Sequence, residues 1–183
     1  MKKVLITPKM EAWAQRKAIA QVETEGFIRA IDTHESVYVG YLGEAAWWSC
    51  HPTALHADSR DYDFILDGET YDVKSYWSKY KPREGYTAYI PAKNMNRGKG
   101  FYYIVAVLPE TKKAYLIGQI ECERFKQIAD FRKNGQKKEG RSGYFKCDCY
   151  EILLSELTLH QEKKSYKPPT KDTAPQGLQL ELF

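Results

Sequence analysis

Apolar residues early in the chain recur at helical spacing and predict two successive helices. The first covers residues 10–31, and Asp32 is a candidate N-cap of the second because Glu35 follows it by three residues. On the second helix, one stripe is expected to face a sheet and consists of Val37, Tyr41, Glu44 and Trp48. This stripe carries a carboxylate, and a carboxylate that points into a core requires a partner.

Residues 61–74 have the pattern of a β-hairpin. Two short strands rich in Phe, Ile, Leu, Tyr and Val meet at Asp67 and Gly68, a pair that tolerates the positive φ angles of a tight turn. With these two residues as the loop, Lys74 shares the face of Asp72. The register then pairs Leu66 with Glu69, Ile65 with Thr70 and Asp63 with Asp72.

The predicted hairpin brings two carboxylates side by side. Directly opposed like charges destabilise a sheet by roughly 0.2–1 kcal/mol, so we expect a compensating charge, and a divalent cation with oxygen ligands is the main candidate. Asp61 lies on the same strand face as Asp63 and is the alternative first acid. In a second interpretation, Lys74 only pairs with Asp72 and Asp61 on an exposed hairpin.

Downstream of the hairpin, the pattern alternates again between strands and a helix. Residues 101–108 are almost continuously apolar, as is typical of a strand buried on both faces, and Pro109 ends this strand. The later elements are a strand over residues 114–120, a helix from Cys122 to a stop at Asn134 and Gly135, and a strand over residues 143–154. We therefore predict the α/β class with a mixed sheet (α+β).

Asp63 on one strand and Asp72-Val73-Lys74 on the next resemble the signature of the PD-(D/E)xK nuclease superfamily. That signature is an acid on one strand and then an acid, a residue and a lysine on the next. An upstream helix in the superfamily often carries a further acid, as Glu44 does here, while a tyrosine replaces the proline of the signature. The element order also resembles the restriction-endonuclease-like αβββαβ core over residues 35–157, with an extra N-terminal helix.

The resemblance implies a metal-dependent nuclease whose catalytic residues are Glu44, Asp63, Asp72 and Lys74. Asp63, Asp72 and the backbone carbonyl of Val73 would hold Mg²⁺ or Mn²⁺. Glu44 would bind the metal through water or complete a second metal position. Such an ion polarises the phosphodiester and lowers the pKa of a bound water. Lys74 would orient that water or stabilise charge on the pentacoordinate phosphorus.

The net charge of +4 is small, but the positive charge is unevenly distributed. Between residues 77 and 100 the only acid is Glu84, and tyrosines alternate with six basic residues: Lys79, Lys81, Arg83, Lys93, Arg97 and Lys99. Cations beside a carboxylate cluster suit a phosphate backbone, so we predict that this loop binds DNA. A second basic set is either a further wall of the same groove or a solubilising turn: Lys133, Lys137, Lys138 and Arg141.

Length and composition predict one intracellular domain. The chain has 183 residues, no apolar run of the roughly 18 residues that a membrane span needs, and no secretory signal, so we expect a cytoplasmic protein. The cysteines lack the paired CxxC spacing of structural zinc sites, and we expect reduced thiols at Cys50, Cys122, Cys147 and Cys149. A zinc site drawn from these four cysteines with His51 and His56 stays open.

The end of the chain has a different composition. Residues 161–178 are polar and proline-bearing, as in a linker, after a predicted nuclease domain over residues 1–160. Residues 179–183 resemble the QLxLF peptide by which bacterial polymerases and repair proteins bind the replicative sliding clamp. The matching residues are Gln179 at the pocket rim, Leu180, and the pocket-filling Leu182 and Phe183. The alternative is that this peptide packs on its own domain or on a partner in a homodimer.

The sequence therefore predicts a metal-dependent deoxyribonuclease of DNA repair, recombination, replication or phage DNA processing, in a bacterial or phage-infected cell. One alternative is a non-catalytic DNA-binding or clamp-binding module that keeps the nuclease fold, and another is a nuclease that acts on RNA. The motif does not distinguish endonuclease from exonuclease action, because fold alone does not fix function.

Overall fold

The computed structural model describes residues 1–25, 34–57, 59, 61–95, 100–138 and 143–159. Its helices are α1 (Pro8–Glu25), α2 (His34–Cys50) and α3 (Cys122–Ile128). Its strands are β1 (Lys2–Leu5), β2 (Leu55–His56), β3 (Phe64–Leu66), β4 (Glu69–Trp77), β5 (Thr87–Pro91), β6 (Phe101–Leu108), β7 (Lys113–Glu121), β8 (Asp130–Arg132), β9 (Cys149–Leu153) and β10 (Thr158–Leu159).

The strands form two sheets. The main sheet has the order β1-β7-β6-β4-β3-β2, and β10 also pairs with β7. Its β4 and β6 run parallel, whereas its other neighbours run antiparallel. A small antiparallel sheet has the order β5-β9-β8. The described chain is therefore a mixed α+β fold built on a mixed sheet, in agreement with the predicted class.

The central strand β6 divides the interior into two apolar cores. Its side chains alternate between the faces of the main sheet, so Tyr103, Val105 and Val107 pack with α1 and α2. Tyr102, Ile104 and the next residues on that face pack with α3 and the small sheet. Almost every residue of β6 is buried, which confirms the prediction of a strand covered on both sides.

The predicted stripe on α2 lies beside the most buried face of this helix rather than on it. The fully buried row includes Val39, Leu42 and Trp47, whereas Tyr41 and Trp48 are half-buried and pack against Trp13 of α1. The reason is that α2 is covered by two neighbours, the main sheet and α1, and Tyr41 and Trp48 of the stripe contact α1. Val37, Tyr41 and Glu44 also line an open groove.

Other element predictions need correction at their bounds. The helix expected to reach Asn134 ends at Ile128, because Ala129 is already extended and the next residues form β8 against β9. The last predicted strand is confined to β9. The polar loop after the hairpin contains β5, and four short strands were not predicted: β1, β2, β8 and β10. Residue 160, the predicted linker and the predicted clamp-binding peptide lie outside the described residues.

Candidate active site

The hairpin of β3 and β4 forms as the sequence predicts. Leu66 pairs with Glu69 and Ile65 with Thr70. The loop residues Asp67 and Gly68 have φ angles of 53° and 85°, so both adopt the left-handed conformation of a tight two-residue turn. The register of the two strands, and with it the face on which each side chain lies, is therefore the predicted one.

Asp63 lies immediately before β3 and opposite Asp72. Its main-chain N–H donates to the Tyr71 carbonyl at 2.8 Å, and its Oδ2 accepts a 2.7 Å hydrogen bond from the N–H of Val73. Two bonds thus hold this carboxylate against β4. Asp61, the alternative first acid, is exposed, and its N–H donates a 3.1 Å hydrogen bond to the Oγ of Ser59. The structure therefore brings Asp63, rather than Asp61, next to Asp72.

Asp72 and Lys74 form an ion pair on one face of β4. Asp72 is only 7% exposed, and the Nζ of Lys74 lies 2.6 Å from its Oδ1. The last paired residues of the hairpin are Phe64 and Tyr71. Asp72 and Lys74 follow Tyr71 on β4, in the part of this strand that extends beyond its pairing with β3. The same strand places Val73 between them on the opposite face, where it packs in the core beneath α2.

Glu44 reaches the same cluster from α2, as predicted. Its pKa is raised well above the ordinary value, first by burial and then by the charges of Asp63 and Asp72. Lys74 and Lys17 oppose this rise. The glutamate is therefore electrostatically coupled to both aspartates, although it comes from a different element of the fold.

The pKa of Asp63 is raised to about 8. Burial is the main cause and the Asp72 carboxylate adds to it, whereas Lys74 and the Val73 N–H lower the value. Three carboxyl groups thus share one site, in which Lys74 bonds to Asp72 and both Lys74 and Lys17 lower the pKa of Glu44. At Glu44 and Asp63, burial and the neighbouring carboxylates outweigh the lysines, so the site favours protons or a further cation.

In the described part of the chain, no group of three or more His, Cys, Asp or Glu side chains is close enough to hold a metal ion as the side chains stand. The four cysteines are free thiols. Cys50 packs in the core on the α2 side of the main sheet and Cys122 in the core on the other side, so the combination of these two in one zinc site is wrong. His51 stacks on Trp47 with ring centroids 4.2 Å apart.

A groove of about 2560 Å³ contains the acidic cluster in its wall. Residues of α1, α2 and β4 line one part of the groove, and residues of the small sheet line another. Of the predicted DNA-binding residues, Lys79 and Lys93 line it, whereas Lys81 and Arg83 are exposed but are not among its lining residues. Arg97 and Lys99 lie outside the described residues.

Further cations line the groove beyond those of the predicted loop. Lys138, from the second basic set, is one of them, whereas Lys133 and Lys137 are exposed elsewhere. Arg141 lies outside the described residues. Sequence reasoning missed Lys17 and Lys146 in this groove. A lysine on the polar side of a predicted helix gives no signal of its own, because solvated lysines are frequent at such positions.

Comparison with known proteins adds no assignment. Neither the family models nor the curated proteins match this chain. Within the described residues, no helix has both the length and the apolar character needed to cross a membrane. The site is therefore interpreted from its own residues.

Proposed function

We propose that this chain is a metal-dependent deoxyribonuclease with a restriction-endonuclease-like core. The observation that supports this proposal is the cluster of Glu44, Asp63 and Asp72 around Lys74 in the wall of a large groove. An acid and a lysine two residues apart on a strand, opposite a second acid, are what the nuclease signature requires. Cations at two places in the groove, Lys79 and Lys93, suit a phosphate backbone.

The chemistry of the donor set fits Mg²⁺ or Mn²⁺. Hard divalent cations prefer carboxylate and carbonyl oxygens, and the raised pKa of Asp63 reflects first its burial and then the neighbouring Asp72 carboxylate, both of which a bound cation would offset. Asp63 and Asp72 would hold the ion with the Val73 carbonyl, and Glu44 would bind it through water or complete a second position. The ion supplies polarisation of the phosphodiester and a lower pKa for a bound water.

Lys74 has a distinct part in this proposal. Its ammonium bonds to Asp72 and is therefore held beside a carboxylate that would bind the ion. There it would orient the attacking water or stabilise negative charge on phosphorus. Lys17 lowers the pKa of Glu44 and so favours its ionised form.

A cleavage assay on matched substrates tests the proposal. Linear, nicked, flapped and branched DNA, with RNA of equal sequence, are incubated with Mg²⁺, Mn²⁺ or EDTA. We expect cleavage of DNA that requires the divalent ion and is lost in Asp72→Asn. If the protein binds DNA but cleaves none of the substrates, the non-catalytic module is correct instead. Cleavage restricted to RNA would assign the site to that substrate.

We further propose that Gln179, Leu180, Leu182 and Phe183 bind the bacterial sliding clamp. This part is supported by the sequence alone. The clamp-binding peptide would carry the nuclease to replicating DNA, which fits a function in repair, recombination or replication. A homodimer would present two such peptides to one ring and raise the effective affinity.

A further inference from the structure

Three exposed aromatic side chains line the groove beside the acidic cluster. Trp77 at the end of β4 is 47% exposed, Tyr89 of β5 is 43% exposed and Tyr144 is 62% exposed. The other exposed aromatic side chains of the described residues, Tyr80 and Phe131, do not line this groove. A single exposed ring needs no explanation, but several in one groove indicate a surface that contacts a ligand.

Lysines line the same groove as these rings. The Nζ of Lys138 lies 5.1 Å from the centre of the Tyr89 ring, within the range of a cation–π contact. Lys79 and Lys146 also line the groove, and the Nζ of Lys79 lies 5.8 Å from the centre of the Tyr80 ring. The groove therefore carries both exposed rings and positive charges.

Two acids of the small sheet that line the groove, Asp130 and Glu151, have partners. Glu151 accepts hydrogen bonds from Thr87 Oγ1 at 2.5 Å and from Arg132 Nε at 2.8 Å. Asp130 lies 3.3 Å from the same guanidinium. These contacts reduce the repulsion that an approaching phosphate would meet on this side.

Ring faces next to cations suit an unpaired nucleic-acid strand. Unpaired bases stack on aromatic side chains while the lysines contact the phosphates. In a duplex the base faces are covered by neighbouring base pairs, so exposed rings would contribute little to its affinity. Cations that contact the phosphates would be enough to bind it. Trp77 lies five residues beyond Asp72 on β4, about 17 Å along the strand and on the alternate face, and both residues line the same groove. Bases stacked on Trp77 would belong to a strand that follows this groove.

We propose that the groove binds a single strand of DNA, with bases stacked on Trp77, Tyr89 and Tyr144. This inference rests on the proposed nuclease function and defines its substrate class as single-stranded DNA, or the unpaired part of a flapped or branched DNA. The same stacking chemistry applies to RNA, which the test includes as a separate arm.

Binding measured without cleavage tests this proposal. Fluorescence anisotropy in EDTA compares a labelled oligothymidylate, a duplex of equal length and an oligouridylate. The variants are Trp77→Ala, Tyr89→Ala and Tyr144→Ala, with Phe131→Ala as an exposed ring outside the groove. Trp77→Phe retains a ring at that position, and thermal melts accompany each variant. Quenching of tryptophan fluorescence by the oligothymidylate gives a second signal, because Trp13 and Trp47 are buried and the half-buried Trp48 does not line the groove.

We expect the parent to bind oligothymidylate more tightly than duplex. Each alanine variant should weaken single-strand binding by about 5-fold or more with little change for duplex, and Trp77→Phe should restore most of the affinity. Fluorescence quenching should disappear in Trp77→Phe. The proposed stacking on these rings would be refuted by tighter binding of duplex, by equal losses of affinity for single strand and duplex, or by parental affinity in all three alanine variants. Tighter binding of oligouridylate than of oligothymidylate would show that the ligand is RNA rather than DNA. The cleavage assay is independent, so stacking without any cleavage would refute the nuclease alone.

Discussion

The N–H of Val73 donates a 2.7 Å hydrogen bond to Oδ2 of Asp63. This bond joins the two strands of the hairpin beyond their last paired residues and holds one acid opposite Asp72. It also distinguishes the two candidate acids, since Asp61 is exposed and is not bonded to β4 in this way. The hairpin register alone had left both acids as candidates.

Substitution of the clustered residues should abolish cleavage without unfolding the protein. Asp63→Asn, Asp72→Asn and Lys74→Ala should each lower the cleavage rate by about 100-fold or more, as is typical when one preorganised charged group is removed. Asp63→Asn keeps an oxygen that can accept the Val73 N–H, so its Tm should stay close to that of the parent. The measurement is divalent-dependent cleavage with a thermal melt of each variant.

The matched control for this series is Asp61→Asn. Because Asp61 is exposed and outside the cluster, this variant should cleave as the parent does. A large loss in Asp61→Asn with full activity in Asp63→Asn would move the first metal ligand to Asp61.

The raised pKa of Asp63 predicts that the metal-free protein loses stability as pH rises. The folded state binds the proton with a pKa of about 8, whereas the ordinary value is 3.8, so the folded state holds more protons than the unfolded state between these values. The contribution of Asp63 to the free energy of unfolding is therefore fully present below about pH 4 and is lost as the pH rises through about 8. In EDTA, we expect the Tm to fall across this window, by about 2–4 °C for each kcal/mol lost.

Asp63→Asn should reduce this pH dependence, since the amide does not titrate, and Glu44, whose pKa is also raised, should contribute the remaining slope. Asp61→Asn should keep the parental slope. Added Mg²⁺ should raise the Tm more at pH 8 than at pH 5, because it binds the ionised carboxylates. A Tm in EDTA that does not change between pH 5 and 8 in the parent would contradict a buried, undercompensated cluster.

The hairpin could be predicted because its signals are local. The residues at Asp67 and Gly68 fix the turn, the turn fixes the register, and the register places Asp63 opposite Asp72. The helix position of Glu44 was predicted from a stripe of four residues, which the structure places beside the buried face rather than on it. Glu44 nevertheless interacts electrostatically with Asp63 and Asp72, because that edge of α2 faces the groove.

The small sheet could not be predicted from the same kind of signal. Tyr89 and its neighbours in β5 stand within a basic, polar stretch, and the partner strand β9 follows more than fifty residues later in the chain. Long-range pairing of this kind depends on the tertiary fold. The same holds for α3, where Phe125 anchors a single short helix and the pairing of β8 with β9 replaces the expected helical extension.

The two groove lysines of the basic loop should carry part of the DNA affinity. The double variant Lys79→Ala/Lys93→Ala should weaken binding to all sequences and reduce the slope of log affinity against log salt by about 1.4 for single strands, about 0.7 for each lost phosphate contact. The control is Lys81→Ala/Arg83→Ala, which removes the same charge from exposed positions that are not groove-lining. Equal salt dependence of the affinity in both double variants would show that the DNA strand does not follow the part of the groove lined by Lys79 and Lys93.

The C-terminal peptide should bind the sliding clamp independently of catalysis. Deletion of residues 179–183 should abolish clamp binding and leave cleavage of short DNA unchanged. The affinity should come mainly from Leu182 and Phe183, because burial of each is worth about 1.5–3 kcal/mol before ordering costs. Calorimetry on purified clamp compares the parent, the deletion and a Gln179→Ala variant, which should bind more weakly. Equal clamp binding by parent and deletion, or none by either, would remove the clamp from the function.

Because α2 approaches β4 closely at Gly43, alanine substitutions at two glycines of this helix, Gly43 and Gly40, should differ sharply in their effect on activity and stability. A Cβ at position 43 would overlap the side chain of Ser75 and lie 2.7 Å from its Cβ, so Gly43→Ala must push the helix away from the strand. Because Glu44 is the next residue, this variant should lose cleavage as well as thermal stability.

The matched control is Gly40→Ala. An added Cβ there meets nothing within 4 Å, so this variant should keep activity, with a gain of about 1 kcal/mol in the free energy of unfolding from helix propensity. Ser75→Gly in the Gly43→Ala background removes the overlapping atoms and should restore part of the activity. A parental Tm for Gly43→Ala would show that the helix does not hold the glutamate by this contact.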